Sequence, residues 1–249
     1  MRVKKRIKKL IEHLTGTHIY RRLPRGISIF NDIAESFPSY HVNKIFDVGA
    51  NVGNSAAIYM GLFPASRIFC FEPVAETYHQ LKRNMQNRKQ VCCFQLAMGA
   101  FPAKGTILLG SNSRMNSLVD EETLSVNTGP IRTEKVEIST IEAFCKVKGI
   151  GHIDYLKIDV EGGDLDVLKG AENMLTGQTI DFVEVEAGMN PKNERHVPFN
   201  ALKTYLERYD YFLFGIFEQV NEWPTKEPHL RRVNAVFISQ EMIGIYEDT

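Results

Sequence analysis

The sequence is short of several things, and each shortage closes off a class of protein. No apolar run approaches the ~20 residues that cross a bilayer, so no transmembrane span is expected. Cysteine is scarce: Cys70, Cys92, Cys93 and Cys145 have neither zinc-ligand spacing nor the density of a disulfide scaffold. Cys92 and Cys93 are adjacent and would point to opposite faces of a strand, and all four read as small, mostly buried thiols of a reduced, cytoplasmic protein. The basic start MRVKKRIKKL is not followed by an unbroken apolar stretch and a small-residue cleavage site, so no secretory signal is read. Net charge is absent too, with 30 basic and 30 acidic residues. What is present is ordinary globular chemistry: 249 residues, 43% of them hydrophobic and 24% charged. A chain of that length buries about 70–75% of its unfolded surface and needs no staples.

The charge is unevenly spread. Residues 1–25 hold nine basic side chains against the single acid Glu12, a net of +8, which leaves −8 for the remainder. Within that segment Val3, Ile7, Leu10, Ile11 and Leu14 fall on one helical stripe flanked by the cations. Such a helix suits an anionic membrane surface, where each cation contributes about 1 kcal/mol. The plainer reading is a helix packed on its own domain or on a second copy, so the oligomeric state stays open. Aromatics are not interleaved with the charges, and nucleic acid is not expected as a partner. The expected organisation is a basic amphipathic arm over 1–25 and one α/β domain over 26–249.

In that domain apolar runs alternate with helical spacing. Strands are predicted over 44–48, 67–72, 91–95, 105–109, 132–138, 153–160, 180–186, 211–217 and 234–239. Helices are predicted over 27–37, 54–62, 74–88, 140–147, 164–168 and 198–208. Strands alternating with helices indicate βαβ units and a doubly wound, mostly parallel sheet. The last two strands are joined without helical spacing, which predicts an antiparallel hairpin at the sheet edge.

Ligands of open α/β sheets sit beyond the carboxyl ends of the strands. The first strand runs KIFDVGANVGNSA, an apolar strand ending in Asp47, with Gly49, Asn51 and Gly53 forming a tight turn before a helix. Glycine permits positive φ and close ligand approach, and Asn tolerates the same conformation. The second strand, RIFCFEP, ends in Glu72, 23 residues after Gly49, where a carboxylate is placed to accept two ribose hydroxyls. Both features point to an adenosine-containing cofactor. A dinucleotide fingerprint needs a third glycine inside the helix so that pyrophosphate can lie on its N-terminus. Here that glycine is missing, and Asp47 opposes a pyrophosphate but suits the cationic end of S-adenosylmethionine. After the third strand, Ala97 and Met98 in LAMG offer the small and flexible apolar surface that a flat purine needs, although core packing explains them equally well.

DVGANVGNS, FEP, LAMG, NSL at 116–118 and YLKIDVEGGDLDVLKGA together resemble the FkbM-type S-adenosylmethionine-dependent methyltransferases, over roughly residues 42–240. The resemblance implies a Rossmann-like, seven-stranded class I methyltransferase fold. It implies methyl transfer to a hydroxyl oxygen, often on a sugar or a polyketide-like product. It also implies that Asp47, Gly49, Asn51 and Gly53 surround the methionine end of the cofactor, that Glu72 holds the ribose, and that Ala97 and Met98 border the adenine. Ser117, in the polar loop SNSRMNS, is expected to close over the site. Where the family usually has Glu, this chain has Asp164, so no contact is carried over from that position.

The chemistry is expected on YLKIDVEGG. With a period of two, Lys157, Asp159 and Glu161 share one face, opposite Leu156, Ile158 and Val160. Buried charges of this kind must pair or reach the open end of the sheet. Asp159 is the first candidate for the base that takes the acceptor proton, with Lys157 and Glu161 in support. A purely structural ion network is the plainer alternative. Glu184 and Glu186 point to the same edge from the next strand, and Asp159 with Glu186 has the oxygen chemistry to hold Mg²⁺. A leaving sulfonium needs no metal, so none is expected. His196 is a second candidate base, although a loop histidine is more often a surface residue. The expected acceptor is a glycan or another hydroxylated molecule, and a lipid-linked one would explain the basic arm at the inner face of a membrane. Two other classes fit less well: a nucleotide-cofactor oxidoreductase, disfavoured by Asp47 and the missing glycine, and a non-catalytic adenosyl-ligand or membrane-scaffold protein, disfavoured by the charged face around Asp159.

Overall fold

The computed structural model describes residues 2–20, 22–109, 117–119 and 132–247. Two helices come first, α1 (Arg2–Thr15) and α2 (Ile29–Ser36), and the Ser28 hydroxyl starts α2 by accepting the Asn31 N–H. The strands β1 (Lys44–Val48), β2 (Arg67–Phe71) and β3 (Val91–Phe94) then alternate with α3 (Asn54–Leu62) and α4 (Ala75–Asn84). Next come four short strands, β4 (Ala97–Met98), β5 (Ala103–Leu108), β6 (Ser117–Val119) and β7 (Thr133–Ser139). After α5 (Ile141–Lys148) the alternation resumes with β8 (Ile153–Ile158), α6 (Asp164–Lys169), α7 (Glu172–Thr176), β9 (Ile180–Gly188) and α8 (Phe199–Glu207). The chain closes with β10 (Tyr211–Glu222), β11 (Glu227–Ser239) and α9 (Gln240–Glu247).

Seven strands form the main sheet in the order β3-β2-β1-β8-β9-β11-β10. The pairings from β3 to β9 are parallel, and β11 runs antiparallel to both β9 and β10. This is the expected doubly wound sheet with an antiparallel edge hairpin. Alternating strand residues feed two apolar layers. Phe46, Phe71, Leu156 and Val183 pack on one side with Phe144, while Ile45, Ile68, Tyr155 and Phe182 pack on the other with Ile33, Tyr59 and Leu81. Burying each such side chain is worth roughly 1.5–3 kcal/mol. The chain leaves β1 towards β2 and returns on its other side as β8, so the strand order reverses between β1 and β8. Ligand crevices of such sheets open at that reversal.

Several boundaries differ from expectation. β8 stops at Ile158; the Asp159 N–H still donates to Val48 O, and Glu161 with φ +54 and Gly162 with φ +100 then turn the chain out of the sheet. α4 ends at Asn84, short of Arg88. β10 and β11 are longer than predicted because register shifts between Leu213 and Gly215, and again from Phe217 to Glu222, break the alternation a sequence reader follows. The helices α7 and α9 were not expected. Nor was the second sheet, in which β4, β7, β5 and β6 lie side by side. The four cysteines are free thiols, Cys70 and Cys145 buried and the adjacent pair half-buried. No helix among the described residues is long and apolar enough to cross a membrane.

Candidate active site

The turn after β1 is shaped by backbone that most residues avoid. Gly49, Asn51 and Gly53 have φ of +84, +49 and +93. A Cβ on Gly49 would lie 1.9 Å from the carbonyl oxygen of Asp159, so only glycine lets this turn rest against the end of β8. Gly53 caps the start of α3 and lies against Leu81 of α4 and Met85, the residue that follows α4. The Gly49 and Ala50 N–H groups both donate to Phe71 O, which ties the turn to β2. One residue further on, Glu72 is buried and accepts two backbone N–H bonds, from Asn51 at 3.1 Å and from Val74 at 3.0 Å. Burial pushes its carboxyl up to about 7, against the pull of those two bonds.

A cavity of about 850 Å³ opens over this turn. Its apolar end is made by Phe71, Val74, Leu96, Ala97, Met98 and Ile107. The second sheet brings Ile107 and Met98 there, so the unexpected strands are part of the site. Ser117 pairs through its backbone with Leu108 at the edge of that sheet; the rest of the expected closing loop lies outside the described residues.

The floor is a row of charges set by strand register. Asp47, Lys157 and Glu184 are direct neighbours across β1, β8 and β9, and therefore share one face of the sheet. Asp47 is fully buried, both its oxygens lack hydrogen-bond partners among the described residues, and burial raises its pKa. It lies beneath the cavity facing Lys157, 3.8 Å away, rather than on the cavity wall. Tyr155 Oη and Asn234 Nδ2 donate to the two oxygens of Glu184 at 2.6 and 2.8 Å. Burial works against the Lys157 ammonium, but Asp159, Asp47 and Glu184 around it hold its pKa above the ordinary value. Lys157 is therefore a fixed cation. Its closest partner is Asp159, 2.9 Å away; burial opposes ionisation of this carboxyl, yet the ammonium keeps it below the usual range. Asp159 is thus an ionised carboxylate at the point where the glycine turn meets the polar end of the cavity.

Glu161 does not join that pair. The turn at φ +54 carries it away to Arg195, whose Nε–H donates to it. His196 is buried, not on the surface, with Nε2 2.7 Å from Glu186 and 3.8 Å from Glu161. Its other nitrogen meets the Asn193 amide. Because Nε2 faces a carboxylate, it carries the proton in the neutral ring, and Nδ1 accepts from Asn193 Nδ2. Glu161, Glu186 and His196 could together reach a metal ion, a different set from the Asp159–Glu186 pair considered from sequence. Both carboxylates already hold an arginine, Arg195 on Glu161 and Arg232 on Glu186. Asp164 is buried off the cavity, where burial pushes its carboxyl up to about 7.

The family described as Methyltransferase FkbM domain matches residues 47–213, which include the turn, Glu72 and both charged strand ends. The chain belongs to the FkbM methyltransferase family. It is similar to the 2-O-methyltransferase NoeI of Sinorhizobium fredii, 26% identical over 67% of this chain and 72% of that protein. It is also similar to the hexuronic acid methyltransferase AglP of Haloferax volcanii, 29% identical over 60% of this chain and 58% of that protein. Among solved structures, M. capricolum TrmK with S-adenosyl-homocysteine aligns over 87% of this chain and 70% of its own at a TM-score of 0.44 and 10% identity.

The methyl donor of this FkbM methyltransferase is S-adenosylmethionine, and the cavity fits it. Glu72 has each oxygen braced by one N–H and keeps lone pairs that could accept the hydroxyls of a ribose. Ala97, Met98, Val74 and Ile107 give the cavity an apolar lining that could hold a flat purine. The floor beneath carries three carboxylates to one ammonium, which favours a cationic ligand over a pyrophosphate. An oxidoreductase and a non-catalytic binding protein are both set aside by the family. Sequence reading missed Arg195, Arg232, Tyr155, Asn234 and Ile107. Tyr155 was within reach, because it shares the period-two face of Lys157 and Asp159. Arg232 and Asn234 share a face of β11 in the same way, but the strand predicted from sequence starts at 234, seven residues after β11 does, and leaves Arg232 out.

Proposed function

We propose that this enzyme methylates a hydroxyl oxygen of a sugar, with Asp159 taking the hydroxyl proton. The observation that carries this reading is the position of Asp159: its backbone touches the glycine turn on the cofactor side, while its ionised carboxylate faces the polar end. When bound, S-adenosylmethionine supplies an electrophilic methyl group on a sulfonium. The protein must then hold an oxygen in line with it and remove one proton as the C–O bond forms and the C–S bond breaks. Lys157 keeps Asp159 ionised, and Glu161, Glu186, His196 and Arg232 offer donors and acceptors that suit the several hydroxyls of a sugar. The sugar-directed names of NoeI and AglP favour the same class of acceptor. The test is incubation of the purified enzyme with labelled S-adenosylmethionine and a glycan panel, followed by mapping of the label; label on an amine or on carbon would replace this reading.

We further propose that residues 1–25 are an arm that holds the enzyme on the inner, anionic face of a membrane, where a lipid-linked glycan is presented. In α1 the apolar stripe is turned to solvent, with Ile7, Leu10 and Leu14 53%, 59% and 74% exposed. An apolar face of that size between cations is the signature of a helix lying in a headgroup layer.

A further inference from the structure

We propose that Trp223 and Arg231, at the tip of the β10–β11 hairpin, form a stacking platform for a pyranose ring of the acceptor. The inference rests on the sugar reading above and names how the sugar is held. The pairing of β11 with β9 ends at Arg232 and Gly188, so the hairpin beyond that rung projects past the main sheet. Trp223 sits in its turn, 70% exposed, yet it is part of the cavity wall together with Arg231. A large aromatic ring left open in a cavity wall is free to contact whatever fills that cavity.

The ring is held in place by a rigid neighbour. The Arg231 guanidinium lies 5.9 Å from the ring centroid and donates to Glu222 at 2.8 Å. Glu222 in turn accepts from Asn190 Nδ2 at 2.7 Å. The carbonyl of Arg231 accepts from the Met189 N–H and from Asn193 Nδ2, and Asn193 also holds His196. The hairpin tip and the loop carrying Arg195 and His196 are thus one connected wall. A ligand filling it meets an aromatic face on one side and carboxylates, guanidinium and imidazole on the other. A lipid chain would cover the ring but strand those charges. A pyranose satisfies both: its axial C–H face is apolar and weakly positive, matching the negative face of the indole, and its edge is a ring of hydroxyls.

Trp223 is the only tryptophan in the chain, so emission excited beyond the tyrosine absorption band reports on this position alone. The probes are methyl α- and β-hexopyranosides and disaccharides built from them, with sorbitol as a polyol that has hydroxyls but no ring face, all titrated in the presence of S-adenosylhomocysteine. At least one pyranoside is expected to give a saturable change in emission, and sorbitol none. With an accepted sugar, Trp223→Ala should raise KM roughly tenfold while kcat and S-adenosylhomocysteine affinity stay within a fewfold of wild type, and Trp223→Phe should recover most of the loss. Methyl transfer to a sugar with unaltered KM in Trp223→Ala, or an equal response to sorbitol, overturns the platform and leaves the sugar reading standing. If wild-type enzyme binds S-adenosylhomocysteine but methylates no sugar of the panel, the sugar reading falls and takes the platform with it.

Discussion

In its proposed role as ribose acceptor, Glu72 is a single carboxylate under two conflicting demands. Ribose hydroxyls are best accepted by the ionised group, whereas burial favours the protonated one and lifts its pKa to about 7. A folded-state pKa above the unfolded value means that the cost of ionising Glu72 is absent below about pH 4.5, grows as pH rises from there, and is complete above about 7. Cofactor binding has the opposite preference. S-adenosylhomocysteine affinity should therefore increase between pH 6 and 8 with release of a proton, and Glu72→Gln should be weaker and flat over that range. Calorimetry in buffers of different ionisation enthalpy reads both effects; a wild-type affinity independent of pH removes Glu72 from the ribose. Asp159 belongs to the same scale. Asp159→Asn keeps the shape and loses the base, so turnover should drop about 10²–10⁴-fold with cofactor affinity retained. Near-normal turnover would pass the role of base to the His196–Glu186 pair. Glu72 and the glycine turn were legible in the sequence because a strand tip and a βα turn are local features. Arg195 and Arg232 were not, because they reach Glu161 and Glu186 only through a loop and an antiparallel register far along the chain.

At the scale of elements, the row Asp47–Lys157–Glu184 joins three strands through one ammonium. Lys157→Met removes the only cation of the row and leaves Asp47, Asp159 and Glu184 facing one another in a buried setting. Breaking a buried pair in this way costs about 3–5 kcal/mol, and denaturant unfolding of the variant should show a loss of that size. An unchanged midpoint would mean that the carboxylates protonate at little cost and that the row is not structural. The arginines on Glu161 and Glu186 bear on a second expectation. A divalent cation would have to compete with a guanidinium at each carboxylate, so methyl transfer should survive EDTA. Activity lost to chelator and restored by Mg²⁺ or Mn²⁺ would overturn this. The sequence could be read well for β1 and α3, where an unbroken apolar run meets a glycine turn and both boundaries are as predicted. It failed for β4 and β6, which have two and three residues and are too short for any periodicity to register.

At the scale of the whole molecule, charge separation between the first 25 residues and the rest is the feature with most leverage on behaviour. A neutral chain divided into +8 and −8 presents one surface to an anionic membrane and another that the membrane repels, so the proposed arm would also orient the cavity-bearing body. The exposed stripe of α1 has a competing use, packing against a second copy, and the two differ in their response to salt. Screening shortens from about 10 Å at 0.1 M to 3 Å at 1 M, which weakens attraction to headgroups steeply and leaves apolar packing nearly untouched. Full-length enzyme should therefore co-sediment with vesicles containing anionic lipid at low salt and come off at high salt, and should ignore zwitterionic vesicles. Enzyme lacking residues 1–25 should stay folded, bind S-adenosylhomocysteine normally, and lose the vesicles. Failure of the full-length enzyme to sediment at low salt ends the membrane reading. Association between protein copies that persists at 1 M salt and vanishes with the truncation would assign the stripe to a dimer instead.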